Sequence, residues 1–261
     1  MDVGNVGFVI AGLIVGFIVG MTGVGGGSLM TPILLWFGIN PATAVGTDLL
    51  YAAITKSGGV LVHSKNKNID WTITGWLTLG SVPAVLLTLW FLASLHTDPT
   101  VMNAVIKQAL GVVLLLTALA ILFKKTLLTF AQRHAGDSYH LNPRNLNALT
   151  VLTGAILGTM VALTSIGAGA LGTVALFILY PFLATRRLVG TEIAHAVPLT
   201  LVAGLGHAGM GNMDWQLLGF LLMGSLPGIY VGSHMTGKIP DAVLRPCLAV
   251  MLMAVGYKLA F

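Results

Sequence analysis

The stretch MTGVGGGSLMTPILL, residues 21–35, has four glycines within five positions, and a proline follows them. Glycine weakens a helix through its backbone entropy, and proline removes a backbone hydrogen-bond donor. The sequence on both sides is apolar, so this interruption falls inside a hydrophobic segment rather than in a polar loop. Because an apolar environment offers no water to the freed amides, such a break needs a structural or functional reason.

The composition indicates that this environment is a lipid bilayer. The chain of 261 residues is 56% hydrophobic and only 8% charged, whereas a soluble domain carries roughly 25% charged residues. Apolar runs of roughly 17–25 residues, the length that spans a bilayer, recur along the chain. We therefore predict an all-α polytopic membrane protein. No basic residue precedes the first run, which favours a retained membrane segment over a cleaved signal peptide.

The remaining composition excludes several classes of protein. A single cysteine, Cys247, allows no intramolecular disulfide and no cysteine metal cluster, and no motif of a metal site, cofactor site or enzyme occurs. The net charge of +5 comes from Lys and Arg in short loops, so no nucleic-acid partner is expected. The expected partner at this point is the lipid bilayer, with a homodimer left open.

About ten apolar segments follow one another along the chain, of which we expect 8–10 to be transmembrane segments. Two are short enough to be half-helices or parts of re-entrant hairpins, namely 28–38 and 170–183. The polar stretch 124–145 divides the chain into a first half, 1–123, and a second half, 146–261, of five segments each. The other predicted segments are 5–21, 43–62, 71–95, 102–123, 146–163, 188–208, 215–233 and 242–260.

The two halves are similar in sequence. AVGTDLLYAA (44–53) aligns with LVGTEIAHAV (188–197), and the register continues so that HSKNKNIDWTITGWLTLGSVPA (63–84) falls on HAGMGNMDWQLLGFLLMGSLPG (207–228). About 14 of some 39 aligned positions are identical, which indicates an internal duplication. The Asp-Trp pair in both copies predicts a helix N-cap followed by an interfacial aromatic, and the Gly-Ser-x-Pro in both predicts a kink with close packing.

The glycine break also has a second copy, because GMTGVGGGSLMT (20–31) aligns with ALTSIGAGALGT (162–173) after a shift of two residues. The loop charges predict how the copies are oriented, since cytoplasmic loops are enriched in Lys and Arg. Lys65 and Lys67 have no counterpart in the equivalent loop 209–214, and the arginine pair at 186–187 has no counterpart at 39–42. We therefore predict inverted-topology repeats, a cytoplasmic linker and both termini on the outer side.

Broken helices at matching places in inverted repeats are typical of secondary transporters. A helix that begins inside the membrane directs its free amides and its positive dipole end into a cavity, where an anion can bind. Close helix packing by small residues is the alternative reason for the glycines. The candidate substrate-binding residues are Thr22, Gly25, Gly26, Gly27, Ser28, Thr31, Thr47, Lys56, Thr164, Ser165, Gly167, Gly169 and Thr191.

Ionisable residues inside apolar segments are costly and are therefore candidate functional groups. Asp48 and Glu192 occupy equivalent repeat positions and are candidate proton carriers; a helix-end carboxylate near the interface is the alternative. Lys56 is a candidate counter-charge for an anion, or else its ammonium extends to the interface. His195 lies one helical turn after Glu192 and is a candidate for tuning it.

The residues TGVGGGSLMTPIL (22–34), the A-x-G-T block at 44–47 and G-S-x-P-[AG] in both copies resemble the sulfite exporter TauE/SafE family, also called the toluene-sulfonate uptake permease family. The resemblance covers roughly residues 5–260. It implies an inner-membrane permease for sulfur-containing anions such as sulfite, sulfoacetate or other organosulfonates. The second copy departs from the pattern at Ala168 and Val174, so its part in the site is less defined. A carrier or passive channel for another small anion or a lipid head group is the alternative function.

Overall fold

A computed structural model describes residues 3–22, 27–95, 99–123, 126–127, 129, 142–234 and 241–260. This part of the chain contains ten α-helices and no strand, and each helix corresponds to one of the ten predicted segments. The helices are α1 Val3–Thr22, α2 Gly27–Trp36, α3 Pro41–Lys65, α4 Trp71–Ser94, α5 Pro99–Leu122, α6 Pro143–Thr164, α7 Ala170–Leu179, α8 Thr185–Gly209, α9 Trp215–His234 and α10 Asp241–Ala260.

Short polar residues fix where several helices begin. Asn40 accepts a hydrogen bond from the amide of Ala42 at the start of α3, and a proline at the first helical position supports this cap. Asp70 accepts from the amides of Thr72 and Ile73 at the start of α4. Asp214 accepts from the amide of Leu217 at the start of α9. The predicted caps of the two Asp-Trp pairs are thereby confirmed.

The two short helices are half-helices. Each has ten residues and is therefore about 15 Å long, half the thickness of a bilayer core. Before α7 the backbone leaves the helix through three left-handed conformations, with φ of 59° at Ser165, 123° at Gly167 and 148° at Gly169. Glycine adopts such angles without steric cost, which explains its use in this break. The equivalent break before α2, residues 23–26, lies outside the described residues.

Five of the described helical segments are long and apolar enough to cross a membrane, so the protein is a multi-pass membrane protein. Helix α3 is not among them, although it has 25 residues, because it includes polar and charged positions that are buried inside the protein. The five segments are Trp71–Ser94, Thr100–Leu122, Pro143–Thr164, Thr185–Gly209 and Trp215–Gly232.

The outer helices pack in pairs whose backbones touch. Helix α1 packs along α9, α4 packs along α6, and α5 packs along α10. In the α4–α6 pair, a Cβ added to Gly80 would collide with the carbonyl oxygen of Val151. In the α1–α9 pair, a Cβ added to Gly224 would collide with the carbonyl oxygen of Val9. Small residues at such crossings allow close approach of membrane helices, which confirms the close packing predicted for Gly-Ser-x-Pro.

Helices α3 and α8 form the centre and run antiparallel, as the contacts at their two ends establish. At one end, Thr191 of α8 accepts a hydrogen bond from the amide of Asp70, the residue that caps the helix following α3. At the other end, Thr47 of α3 accepts from the amide of Asp214, which caps the helix following α8. The start of each central helix therefore lies at the end of the other.

Candidate functional site

The central helix pair buries several ionisable side chains, four of which are candidates from the sequence. Asp48 and His195 are 0% exposed, Glu192 is 2% exposed and Lys56 is 6% exposed. Both carboxylates are therefore enclosed by protein. Burial of charged groups inside a membrane protein is costly unless partners or a ligand compensate the charge. These four residues are therefore the core of the candidate site.

Asp48 connects α3 to the half-helix α2. Its Oδ2 accepts hydrogen bonds from the backbone amide of Thr31, at 3.2 Å, and from the hydroxyl of Thr31, at 2.5 Å. The Ser165 hydroxyl of the second break lies close to the same carboxylate without a hydrogen bond to it. Within the described part of the chain, Oδ1 of Asp48 has no hydrogen-bond partner. One oxygen of this carboxylate is therefore fixed and the other faces the site.

Lys56 extends into the second helix break rather than to the interface. Its Nζ donates a hydrogen bond of 2.6 Å to the carbonyl oxygen of Ala168, which lies between the two left-handed glycines. The ammonium also interacts electrostatically with the carboxylates of Asp48 and Glu192. Lys56 is thus a positive charge that bonds to the break and lies within electrostatic range of a carboxylate on each central helix.

Glu192 is held less firmly than Asp48. Its Oε1 has no hydrogen-bond partner among the described residues, and the side chain packs against Gly172 of α7, where an added Cβ would lie 3.0 Å from Oε1. His195, one turn further along α8, does not bond to Glu192. Its Nε2 lies 2.9 Å from the hydroxyl of Ser81 on α4, and its Nδ1 has no partner in the described structure.

The second break supplies further groups. The buried hydroxyl of Ser165 has no described partner. Thr164, a predicted binding residue, donates to the carbonyl of Met160 and accepts from the amide of Ile166, so its hydroxyl stabilises the break. The N-cap of α7, Gly169, provides no side-chain cap. The amide of Gly172 bonds to the carbonyl oxygen of Gly167. The amides of Ala170 and Leu171 are therefore those of the first turn that have no side-chain cap, as at helix N-termini that bind anions.

Some of the other predicted binding residues lie at the site and others lie away from it. Gly167 and Gly169 lie in the break beside Lys56, and the hydroxyl of Thr31 is directed at Asp48. Thr47 and Thr191 lie at opposite ends of the central pair, where their hydroxyls accept hydrogen bonds from backbone amides. Gly27 begins α2. Gly25 and Gly26 lie outside the described residues, as do the side chains of Thr22 and Ser28, so the first break's contribution remains a prediction.

Sequence reasoning missed Tyr51 and Ser81. Tyr51 is buried one turn after Asp48, and its hydroxyl, which has no hydrogen-bond partner in the described chain, lies near Asp48 and Ser225. It occupies the repeat position of His195, and this equivalence was the signal available in the alignment. Ser81 is part of Gly-Ser-x-Pro, a pattern that predicted a kink and close packing but no role in the site.

Seven buried polar atoms without a described hydrogen-bond partner thus lie on the central helices and the break. Five belong to Asp48, Tyr51, Ser165, Glu192 and His195, and the other two are the Nδ1 atoms of His63 and His207. Buried polar groups in proteins nearly always have partners, so such a concentration indicates a site for a polar ligand. The described residues contain no group of three or more His, Cys, Asp or Glu side chains that could hold a metal ion.

Half-helices that meet at a buried, charged cluster between two central helices are characteristic of a membrane transporter. The chain belongs to the sulfite exporter TauE/SafE family, whose sequence model matches residues 8–259. This is a family of transporters and not of enzymes.

Curated relatives are similar to this chain over nearly its full length. The chain is 39% identical to the probable membrane transporter protein YjnA of Bacillus subtilis (strain 168), covering 98% of this chain and 99% of that one. It is 28% identical to the probable membrane transporter protein YdhB of the same organism, over 95% and 97% of the two chains. It is 26% identical to the probable membrane transporter protein MJ0441 of Methanocaldococcus jannaschii, over 95% and 92%. No solved structure matches the chain.

Proposed function

We propose that the protein is a secondary transporter of small sulfur-containing anions, such as sulfite, sulfoacetate or other organosulfonates, across the bacterial inner membrane. The observation that carries this proposal is the buried ammonium of Lys56 in the second break, beside the N-terminus of α7. A cation and a helix N-terminus at one place are two features that each attract an anion.

The chemistry of the site fits an oxyanion with several oxygens. Lys56 supplies a charged donor, Ser165 supplies a hydroxyl with no described partner, and the first turn of α7 supplies backbone amides. Sulfite and sulfonates present three oxygens around one sulfur atom, so donors that converge from different directions bind them. Hydrogen bonds to ionised acceptors are stronger than those between neutral groups, which favours the anion over a neutral analogue.

We also propose that residues 1–123 and 146–261 are inverted repeats joined by a cytoplasmic linker at 124–145, with both termini on the outer side. The antiparallel course of α3 and α8, which are equivalent in the duplication, supports this arrangement. The helix pairing supports it too. In the duplication α1 corresponds to α6 and α9 corresponds to α4, so the α1–α9 pair and the α6–α4 pair are equivalent contacts. Such repeats alternate access by moving one bundle against the other around a central site.

The test uses the purified protein. In detergent, thermal unfolding is measured with sulfite, sulfoacetate, taurine, thiosulfate and phosphate, and uptake of the anions that stabilise the protein is then measured in proteoliposomes. We expect a sulfur-containing anion to raise the unfolding temperature and to be transported. Lys56→Met should abolish both effects, whereas Lys258→Met, an exposed lysine on α10, should not.

Two outcomes would contradict the proposal. One is that no sulfur-containing anion stabilises or crosses with the wild-type protein. The other is that Lys56→Met binds the anion as tightly as the wild-type protein does. Anion currents that reverse near the Nernst potential of the anion, without coupled transport, would indicate a passive channel instead.

A further inference from the structure

One buried cation lies within electrostatic range of two buried carboxylates in this site. Among the described residues, Lys56 is the single buried lysine or arginine, and it interacts electrostatically with both Asp48 and Glu192. If all three groups are ionised, the cluster carries one net negative charge before any substrate arrives. An anion that takes Lys56 as its partner weakens the electrostatic stabilisation that this cation gives to both carboxylates.

The two carboxylates are not equally able to tolerate that loss. Asp48 retains the amide and the hydroxyl of Thr31 as donors to Oδ2 whether or not Lys56 is engaged. Oε1 of Glu192 has no donor in the described structure and lies against Gly172, which has no side chain to offer one. A buried carboxylate without donors or a counter-charge is costly and becomes neutral by taking up a proton.

We infer that anion binding is linked to protonation of Glu192, because the anion and Glu192 share the ammonium of Lys56. This inference rests on the proposed function and specifies its coupling: one proton enters from water with each anion. The anion binds at Lys56 and the second break, Glu192 becomes a neutral carboxylic acid, and Asp48 stays ionised as a positioning residue that holds α2 against α3.

The other groups around Glu192 do not replace it in this role. His195, on the same helix, has its Nε2 on Ser81 of α4. Tyr51 lies on the Asp48 side of α3, near Ser225 of α9. Helix α7, against which Glu192 packs, contributes no titratable side chain. His195 also interacts electrostatically with Lys56, and His63 of α3 lies against Gly190 of α8. The Glu192→Gln variant below therefore separates proton uptake at Glu192 from uptake at either imidazole.

The repeat comparison gives a second argument. The residue equivalent to Lys56 in α8 is Thr200, whose hydroxyl bonds to the carbonyl of Ala196 in its own helix. The duplication therefore produced two carboxylates but only one cation. That imbalance is what makes an anion and a proton bind together.

The experiment measures proton uptake on binding. Isethionate is titrated into the purified protein in weakly buffered detergent containing a pH indicator, and its affinity is measured by calorimetry across neutral pH. Isethionate is chosen because its sulfonate does not titrate in this range, as sulfite does. We expect about one proton taken up per anion bound and an affinity that falls about tenfold for each unit rise in pH, the slope that linkage to one proton requires.

Glu192→Gln mimics the protonated acid and should bind isethionate with no proton uptake and no pH slope. Asp48→Asn should bind more weakly but keep the slope. Asp214→Asn, an exposed carboxylate at the start of α9, is the control and should behave as wild type.

The inference is overturned if the wild-type protein binds isethionate with a flat pH profile, a result that does not depend on any variant folding. It is also overturned if the slope persists in Glu192→Gln or is lost in Asp48→Asn instead. Failure of the wild-type protein to bind any sulfur-containing anion would overturn the proposed function itself, so the two failures are distinguishable.

Discussion

The backbone contacts between α4 and α6 make a sharp prediction about two glycines on one helix. Gly80 faces α6, where an added Cβ would collide with the carbonyl oxygen of Val151 and lie 2.9 Å from the amide nitrogen of Ala155. Gly75, on the same helix, is exposed and has no atom within 4 Å of an added Cβ. Alanine at these two positions is the same chemical change in two different surroundings.

The expected effects have opposite signs. At Gly75, alanine improves helix propensity and should stabilise the protein by about 1 kcal/mol. At Gly80, ordinary van der Waals contact begins near 3.4 Å, so α6 must retreat by at least about 0.5 Å, and more at the carbonyl of Val151. Overpacking of this kind costs about 1–3 kcal/mol. We therefore expect Gly80→Ala to be less stable than Gly75→Ala by about 2–4 kcal/mol.

The assay is thermal unfolding of both variants in the same detergent, followed by circular dichroism. The expected separation in unfolding temperature is roughly 5–15 °C for a chain of this size. The same pair of substitutions can be made on α9, the equivalent helix of the second half. There Gly224 contacts the backbone of α1, whereas Gly219 has no atom within 4 Å of an added Cβ. If Gly80→Ala and Gly75→Ala unfold at the same temperature, the backbone contact does not stabilise the α4–α6 pair and the reasoning is refuted.

Three further predictions concern the polar contacts. Thr31→Val removes a donor to Asp48 and should weaken anion binding in calorimetry more than it lowers the unfolding temperature; an unchanged affinity would contradict the role of Asp48 as a positioning residue. Thr47→Val and Thr191→Val each leave a backbone amide without its acceptor and should cost about 1–3 kcal/mol in chemical unfolding; a negligible cost would show that water replaces the hydroxyl. Arg187→Ala removes an ion pair with Asp70 in which the arginine is 49% exposed, so unfolding at low salt should change by about 1 kcal/mol or less and at high salt not at all.

The fold was predictable to the extent that local chemistry determines it. The lengths of the apolar runs, the caps of the two Asp-Trp pairs and the glycine breaks are local signals of where helices begin and end, so the ten segments followed from the sequence. Which helices pair did not follow, because a glycine shows that a partner comes close but not which one. Gly80 and Gly224 both predicted close packing, and only the structure identifies α6 and α1 as their partners.

The site was predictable to a smaller extent. Lys56, Asp48 and Glu192 were candidates because charge in an apolar segment is costly wherever the helix lies. Thr47 and Thr191 belong to the same repeated block as the carboxylates. Each lies one residue before its carboxylate and so points in a different direction from the helix, where its hydroxyl accepts a hydrogen bond from a backbone amide. Tyr51 was missed because a tyrosine in a membrane helix is ordinary until its hydroxyl is found without a described partner.

The hydrogen bond between Lys56 and Ala168 joins residues that are 112 positions apart. The cation comes from the first half of the chain, and the broken backbone that receives it comes from the second. Neither half alone carries a complete site, so a gene cut in the linker should give two inactive fragments that regain function only when both are made in the same membrane. Under the proposed inverted topology, an ancestor with a single repeat would have worked as a pair of chains inserted in opposite directions.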